Sequence, residues 1–324
     1  MWVGGLLIFA CGAVAVGVKS GFSERSRVFE LTEVLRLRLP SSAGDLKLWI
    51  PQPGNDPYQK TELAEVRSPW PHRLARDPDF GNSLLFIQGA APYPREVEVR
   101  LRYRVKRLEQ RGWDPQSRRK EDSLKLALHL KPRGLVRVDE HVRRIASETT
   151  QGIEDPVERV RAIYHYVLSH VDYGKDIPGW GRGDVAYVCR VGRGNCTDFH
   201  SLFMALSLAG GIPARFRMGY PLPKEPEGKL RGYHCWAEFY LPEQGWIPVD
   251  ISEAWKHPAR AEYYFGNLDP DRMVVSTGRR LRLSPEQQGE PLNYLWRPYA
   301  EWKGKPYEGI QVDLSYRDVP GEVL

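Results

Sequence analysis

Residues 193–215 read RGNCTDFHSLFMALSLAGGIPAR, and the fold turns on what this stretch becomes. Phe199, Leu202, Phe203, Leu206 and Ala209 fall at i, i+3, i+4, i+7 and i+10, the spacing of an apolar helix stripe. Asn195 is a good N-cap ahead of it, and Gly210-Gly211 followed by Pro213 is a good stop behind it. The spacing predicts a core-facing helix with Cys196 at its start. Unpaired N–H groups and the positive end of the helix dipole favour a thiolate there, and with a histidine nearby a cysteine pKa can fall from ~8.5 to roughly 3.5–7.5. The same N–H groups are candidate oxyanion donors. Taken alone, a cysteine at such a place is more readily a packing residue.

Downstream, ARFRMGY (214–220) alternates as a strand and PLPKEPEGKL (221–230) reads as a polar turn or loop. GYHCWAEFYL (232–241) alternates again, with His234, Trp236 and Glu238 on one face and Tyr233, Cys235 and Ala237 on the other. PEQG (242–245) turns the chain into WIPVD (246–250), which ends at Asp250. A helix that begins with a cysteine, followed by adjacent strands carrying His234 and then Asp250, can bring together a nucleophile, a base and a group to orient the base. His200 is a rival base, but i+4 places it up the helix from Cys196, so a structural hydrogen-bonding role is expected for it. Asp198 is expected to interact with the helix N-terminus, and Trp236, Trp246 and Tyr240 to form core and cleft wall. Trp180 stands in the Gly-rich loop GWGRGD (179–184) upstream of the cysteine. Glu238 is expected to support the strand or the cleft. A metal site built from Cys189, Cys196, His200, His234 and Cys235 lacks C-x2-C or H-x3-H spacing, so no metal and no cofactor are expected.

Upstream, the period is two from residue 28 to about residue 130. Leu35, Leu37 and Leu39 alternate with arginines; Leu46, Leu48 and Ile50, then Val97 to Val105, then Leu124, Leu126, Leu128 and Leu130 repeat the pattern. Turn clusters such as PQPGNDP and RDPDFGN separate these runs, and a β-sandwich over residues 25–130 is the expected result. The period then becomes helical: a short helix is expected at 139–149, and DPVERVRAIYHYVLSHV (155–171) follows with Asp155 as N-cap and Pro156 at the first helical position. KPRG (131–134) marks the boundary to a second, mixed domain over residues 135–324.

The net charge is +6 and the pI about 9.0, but the arginines are spread along alternating strands, with no basic helix, aromatic RNA-binding motif or finger spacing, so no nucleic-acid partner is expected. Residues 2–18 (WVGGLLIFACGAVAVGV) carry no charge, and Ala13-Val14-Ala15 resembles a signal-peptidase site. Residues 1–20 are expected to be a cleaved leader, with an uncleaved membrane anchor as the alternative, and the protein to be exported: periplasmic, extracellular or anchored facing outward. Without Cys11, three cysteines remain; if Cys196 is free, Cys189 and Cys235 can pair.

The run GNCTDFHSLFMALSLAGGIPARFRMGYP, then GYHCWAEFYLPEQGWIPVDISEA, resembles the transglutaminase-like core of the papain-like thiol superfamily, in its bacterial branch. The small-residue turn before the cysteine, the GIPAR helix end, HxWxE and GWxPxD carry the resemblance, over roughly residues 135–275. It implies an α+β fold in which the helix bearing the cysteine packs on an antiparallel sheet bearing His and Asp, preceded by the sandwich. It also implies Cys196 as nucleophile, His234 as general base and acid, Asp250 as the group fixing the imidazole tautomer, and an upstream side-chain oxyanion donor, for which Trp180 and Asn195 are the candidates. Relatives of this kind crosslink, deamidate or hydrolyse, through a thioester, or are inactive; the implied substrate is a protein or peptide amide, cell-wall peptide included. Crosslinking members generally place an aromatic residue after the nucleophile, where this chain has Thr197. A catalytically inactive envelope binding module is the alternative. Loops at 174–194 and 221–232 are expected to border the cleft and carry substrate choice.

Overall fold

A computed structural model describes residues 25–40, 44–89, 95–115 and 118–319; the leader read at residues 1–20 lies outside them. The alternating runs form strands β1 (Ser26–Arg38), β2 (Leu46–Pro51), β3 (Gln59–Arg67), β4 (His72–Arg76), β5 (Ser83–Gly89) and β6 (Glu96–Leu108), followed by the two-residue β7 (Gln110–Arg111). β1 and β6 pair antiparallel from Ser26↔Leu108 to Arg38↔Glu96, which sets Phe29, Leu31, Leu35 and Leu37 beside Val105, Tyr103, Val99 and Val97 on one buried face. β2 departs from simple alternation. Leu46, Leu48 and Ile50 enter the sandwich interior, while Trp49 on the opposite face packs with Leu84, Phe86 and the segment carrying Leu281, Leu283 and Leu295.

Helices then take over: α1 (Ser123–His129), α2 (Glu140–Thr149), α3 (Pro156–His170), α4 (Val185–Val191) and α5 (Cys196–Ala209), with short strands β8 (Asp172–Tyr173) and β9 (Arg193–Gly194) between α3 and α5. The leucines at 124–130 had read as a strand; they form α1. Asp122 accepts from the N–H groups of Leu124 and Lys125, and Leu124 is 81% exposed, so no sheet face draws these residues into a strand. α3 begins as expected, with Asp155 capping Val157 and Glu158 and Val160, Ile163, Tyr164 and Val167 buried. α5 is the hub: every residue from Cys196 to Ser207 is buried.

The remainder comprises β10 (Ala214–Pro221), β11 (Glu227–Lys229), β12 (His234–Leu241), β13 (Gly245–Val249), α6 (Ile251–Lys256), α7 (Ala261–Tyr264), β14 (Asn267–Leu268), β15 (Arg272–Thr277), β16 (Tyr299–Trp302), β17 (Lys305–Pro306) and β18 (Ile310–Asp318). An antiparallel sheet in the order β13-β12-β10-β15 carries α5 on one face, giving the α+β core. Its other face reaches the sandwich interior through Tyr220, Met273 and Val275. The sandwich is completed from the far end of the chain, in sheets ordered β11-β18-β1-β6-β3 and β17-β16-β2-β5-β4. A boundary at KPRG therefore separates the units along the sequence but not in space. Residues 299–318, grouped by sequence with the core, belong to the sandwich, because β1 and β2 present edges that only these strands cover.

Glu33 shares the inward face of β1 with Leu31 and Leu35 and is 4% exposed. Burial pushes its carboxyl up to about 8. Between the unfolded value of roughly 4.3 and that folded value only the folded state holds the proton, so stability falls as pH rises through this window. Thermal melts should show a fall in Tm from about pH 4 to about pH 8 that Glu33→Gln flattens; an unaltered slope would show that Glu33 does not titrate in this way.

Candidate active site

The first turn of α5 is built around a reciprocal cap. The Asn195 side chain accepts the Thr197 N–H at 2.9 Å, and Asp198 accepts the Asn195 N–H at 2.9 Å. Asp198 also accepts from Gly181 (2.6 Å) and Gly183 (2.9 Å), which ties the Gly-rich loop to the helix start. A side chain at Gly183 would stand 2.2 Å from Ser201 Oγ, so only glycine allows this approach. Arg279 fastens the loop from behind: it donates to Ser201 Oγ (2.5 Å), the Arg182 carbonyl (2.8 Å) and Asn293 Oδ1 (2.6 Å).

Cys196 is 3% exposed at the start of this helix, within hydrogen-bonding reach of His234 and Cys235. Burial alone would raise its pKa; the hydrogen bonds from Cys235 and His234, with the positive charge of His234, hold it well below the ordinary thiol range. Two adjacent thiols in one apolar site do not both ionise, and burial beside the Cys196 thiolate drives Cys235 well above the ordinary range. His234 Nε2 lies 2.7 Å from Asp250 Oδ2, which leaves Nδ1 for the thiol. Burial would lower the imidazole, but the charge and hydrogen bond of Asp250, followed by those of Cys196, raise it to about 9. Asp250 is wholly buried; the positive charges of His234 and Arg272 overcome that burial and keep it well below the usual carboxylate range. Arg272 donates to Asp250 Oδ2, while Oδ1 accepts from Ser252 Oγ and the Glu253 N–H at 3.1 Å each. Gly219 is the register partner of His234 at an irregularity in the β10–β15 pairing, and a Cβ there would stand 1.7 Å from the Met273 carbonyl.

The structure thus brings Cys196, His234 and Asp250 together and engages the other expected residues elsewhere or in structural bonds. His200 Nε2 accepts the Ile251 N–H at 3.0 Å, and burial pushes its pKa down to about 4; a neutral ring whose acceptor nitrogen is occupied joins α5 to α6 and is no base. Asn195 is spent on its cap and on the Tyr233 hydroxyl, to which its Nδ2 donates at 2.9 Å. Trp180 is 37% exposed and sits under Lys175. Glu238 pairs with Arg215 at 2.5 Å and accepts from Gln110, so it braces the sheet; Arg215 and Arg217 keep it ionised, with a pKa of about 2 despite burial. Cys189 and Cys235 are both free: Cys235 lies beside Thr197 and His200, whereas Cys189 sits half-buried on α4 near Tyr166 and Asp139. Arg272 and Arg279 are the site residues that sequence reading missed. Both lie in the segment 263–281, where the sequence pattern gives no sign of the partner each arginine meets.

Residues 143–251 match the family model of the transglutaminase-like superfamily. The chain contains a transglutaminase-like domain. The chain is 27% identical to an uncharacterised protein of Haemophilus influenzae over 93% of each chain. It is 30% identical to a protein-glutamine gamma-glutamyltransferase of Pseudomonas aeruginosa, over 48% of this chain and 23% of that protein. A candidate cysteine protease from Cytophaga hutchinsonii shares the fold at a TM-score of 0.57 and 14% identity, covering 93% of both chains. The family match and the Pseudomonas aeruginosa relative support a thiol-dependent enzyme of the transglutaminase-like kind, and the Cytophaga hutchinsonii structure supports the fold.

Iodoacetamide labelling of Cys196, read by mass spectrometry, should remain fast well below pH 8.5, and in His234→Ala its midpoint should move to about 8.5 or above. A slow, pH-insensitive Cys196 in both proteins would refute the ion pair. Arg272→Met leaves the buried Asp250 one cation short and should reduce stability by about 3–5 kcal/mol in urea unfolding; a change under about 1 kcal/mol would assign Asp250 another counterion.

Proposed function

We propose that this protein is a cysteine-dependent amide acyltransferase or hydrolase acting through Cys196, His234 and Asp250. The observation that carries the reading is the buried thiolate–imidazolium pair at a helix start, its imidazole tied to Asp250 at 2.7 Å. The Cys196 thiolate attacks an amide carbonyl carbon. The backbone N–H of Cys196, at the positive end of α5, is placed to hold the oxyanion that forms. Protonated His234 gives its proton to the leaving amine as the carbon–nitrogen bond breaks, and the acyl group stays on sulfur as a thioester. His234 then takes a proton from water or an incoming amine, which releases the acid or a new amide. Asp250 keeps Nδ1 directed at sulfur throughout by holding Nε2.

The enclosure of the site bears on which acceptor wins. Cys196 is 3% and His234 6% exposed, and Tyr173, Tyr233 and Tyr294 lie close enough to feel the thiolate charge. Aromatic walls that exclude water favour transfer to an amine. The Pseudomonas aeruginosa relative makes protein glutamine the first acyl donor to try. The apolar run at 2–18 favours a reaction outside the cytoplasm.

Incubation with carbobenzoxy-glutaminyl-glycine should release ammonia, and added dansylcadaverine should become attached to the peptide. Cys196→Ala should lower both rates on the order of 10⁴-fold. The rate should decline as pH rises through about 9, where His234 loses the proton it donates. Glutamine, peptide and casein substrates all failing to yield an acyl adduct on Cys196 would favour the inactive binding module instead.

A further inference from the structure

A cavity of about 940 Å³ opens at the seam between the core and the sandwich, and no step of the mechanism above uses it. One wall is the segment that leaves β11 and enters β12, with Lys229, Arg231 and Tyr233 in succession ahead of His234. The facing wall is the stretch from Tyr294 to Arg297. The inner end reaches the reaction centre through Tyr233, whose hydroxyl accepts from Asn195 at 2.9 Å and lies 3.1 Å from Thr197 Oγ1, so that it spans the two neighbours of Cys196. Tyr294, 5.8 Å from Tyr233 ring to ring, donates to the Gly181 carbonyl at 3.0 Å and closes the same end. Trp296 lies tilted against Tyr233, 5.2 Å ring to ring, and continues the aromatic lining outward.

The rim has a definite sign. Lys229, Arg231 and Arg297 are exposed, and among the described residues none of them forms a salt bridge. Of the two acids on the lining, Asp313 is already paired with Arg36, which leaves Glu308 against three cations. Unpaired cations above an aromatic floor suit a chain that carries carboxylates and also offers flat amide or apolar surface.

The geometry points to this cavity as the binding site of the acyl donor, an anionic peptide segment whose carboxylates meet Arg231, Arg297 and Lys229 and whose reacting amide is passed beyond Tyr233 to Cys196. The assignment rests on the thiol-enzyme reading for the second half of that statement only; the binding itself does not require a reactive thiol.

The test measures binding with chemistry removed. Full-length Cys196→Ala is titrated against a fluorescein-labelled Glu-Ala-Gln-Glu-Ala-Glu peptide, its Lys-Ala-Gln-Lys-Ala-Lys counterpart and a labelled thymidine hexanucleotide, by fluorescence anisotropy. The acidic peptide should bind at least about tenfold more tightly than either other probe, and more weakly as salt rises. Arg231→Glu with Arg297→Glu should weaken it by about tenfold or more. In a Cys196-intact background the same pair, or the milder Arg231→Gln with Arg297→Gln, should leave Tm and the Cys196 labelling rate unchanged, which separates loss of the rim from loss of the fold. Equal or tighter binding of the basic peptide or the oligonucleotide, or an affinity indifferent to both pairs of substitutions, overturns the proposal. Tight acidic-peptide binding beside an inert Cys196 would uphold it and remove the catalytic reading.

Discussion

Asp250 is the charge around which the core is arranged. A carboxylate with no exposure sits at a penalty of several kcal/mol unless its partners are complete. Here they come from separate elements: His234 opens β12, Arg272 opens β15, and Ser252 and Glu253 lie in the first turn of α6. In the sheet order β13-β12-β10-β15, Asp250 follows one edge strand and Arg272 begins the other, so the carboxylate and guanidinium join across the strand ends with His234 between them. The contact that orients the imidazole is therefore also one that holds the sheet's width. Midway along β12, buried Glu238 pairs with the partly buried Arg215, and Arg217 bonds to Asp56 from the sandwich, so core and sandwich share charges as well as apolar surface.

How much of this the sequence discloses depends on the range over which each feature is determined. α3 and α5 are readable because cap, stripe and stop lie within one stretch, and the cap residues Asp155 and Asn195 do what their chemistry predicts. β12 and β13 are readable as strands by alternation, although burial of every residue in both hides which face each side chain serves. Residues 124–130 mislead because alternating leucines leave two periods open, and the deciding facts, an Asp122 cap and the lack of a sheet to join, are respectively one residue away and far away in the fold. Arg272 and Arg279 are illegible for a stronger reason. Each acts on a group between 14 and 97 residues away, and an arginine in an alternating run looks the same whether it meets solvent or a buried carboxylate.

The neighbourhood of Cys196 also shows why residue type is a weak guide to role. His200 and His234 both lie near Asp250, at 3.7 and 2.7 Å, yet burial leaves one neutral while a direct bond and the adjacent thiolate keep the other charged. Cys196 and Cys235 diverge in the same way: the helix dipole and His234 select one as the anion, and its charge suppresses ionisation of the other. Asp198, read from sequence as a helix-start acid, has the wider task of pinning the Gly-rich loop to the turn that carries the thiol.

The pairing of β1 with β18 joins Phe29 to Asp318 and Leu37 to Ile310, across most of the chain. Such a connection makes contact order high and folding slow, since loop closure must precede the reward of pairing. Helices around α5 form from nearer neighbours, so a ribosome-bound chain assembles them while β1 still waits for a strand not yet synthesised. Until that strand arrives, the sandwich has an open edge on β1 and β11 lacks its partner, the condition under which partly folded chains associate. The interleaved sandwich thus leaves β1 an exposed edge for as long as its last strand is missing, an interval that the well-packed final state does not reveal.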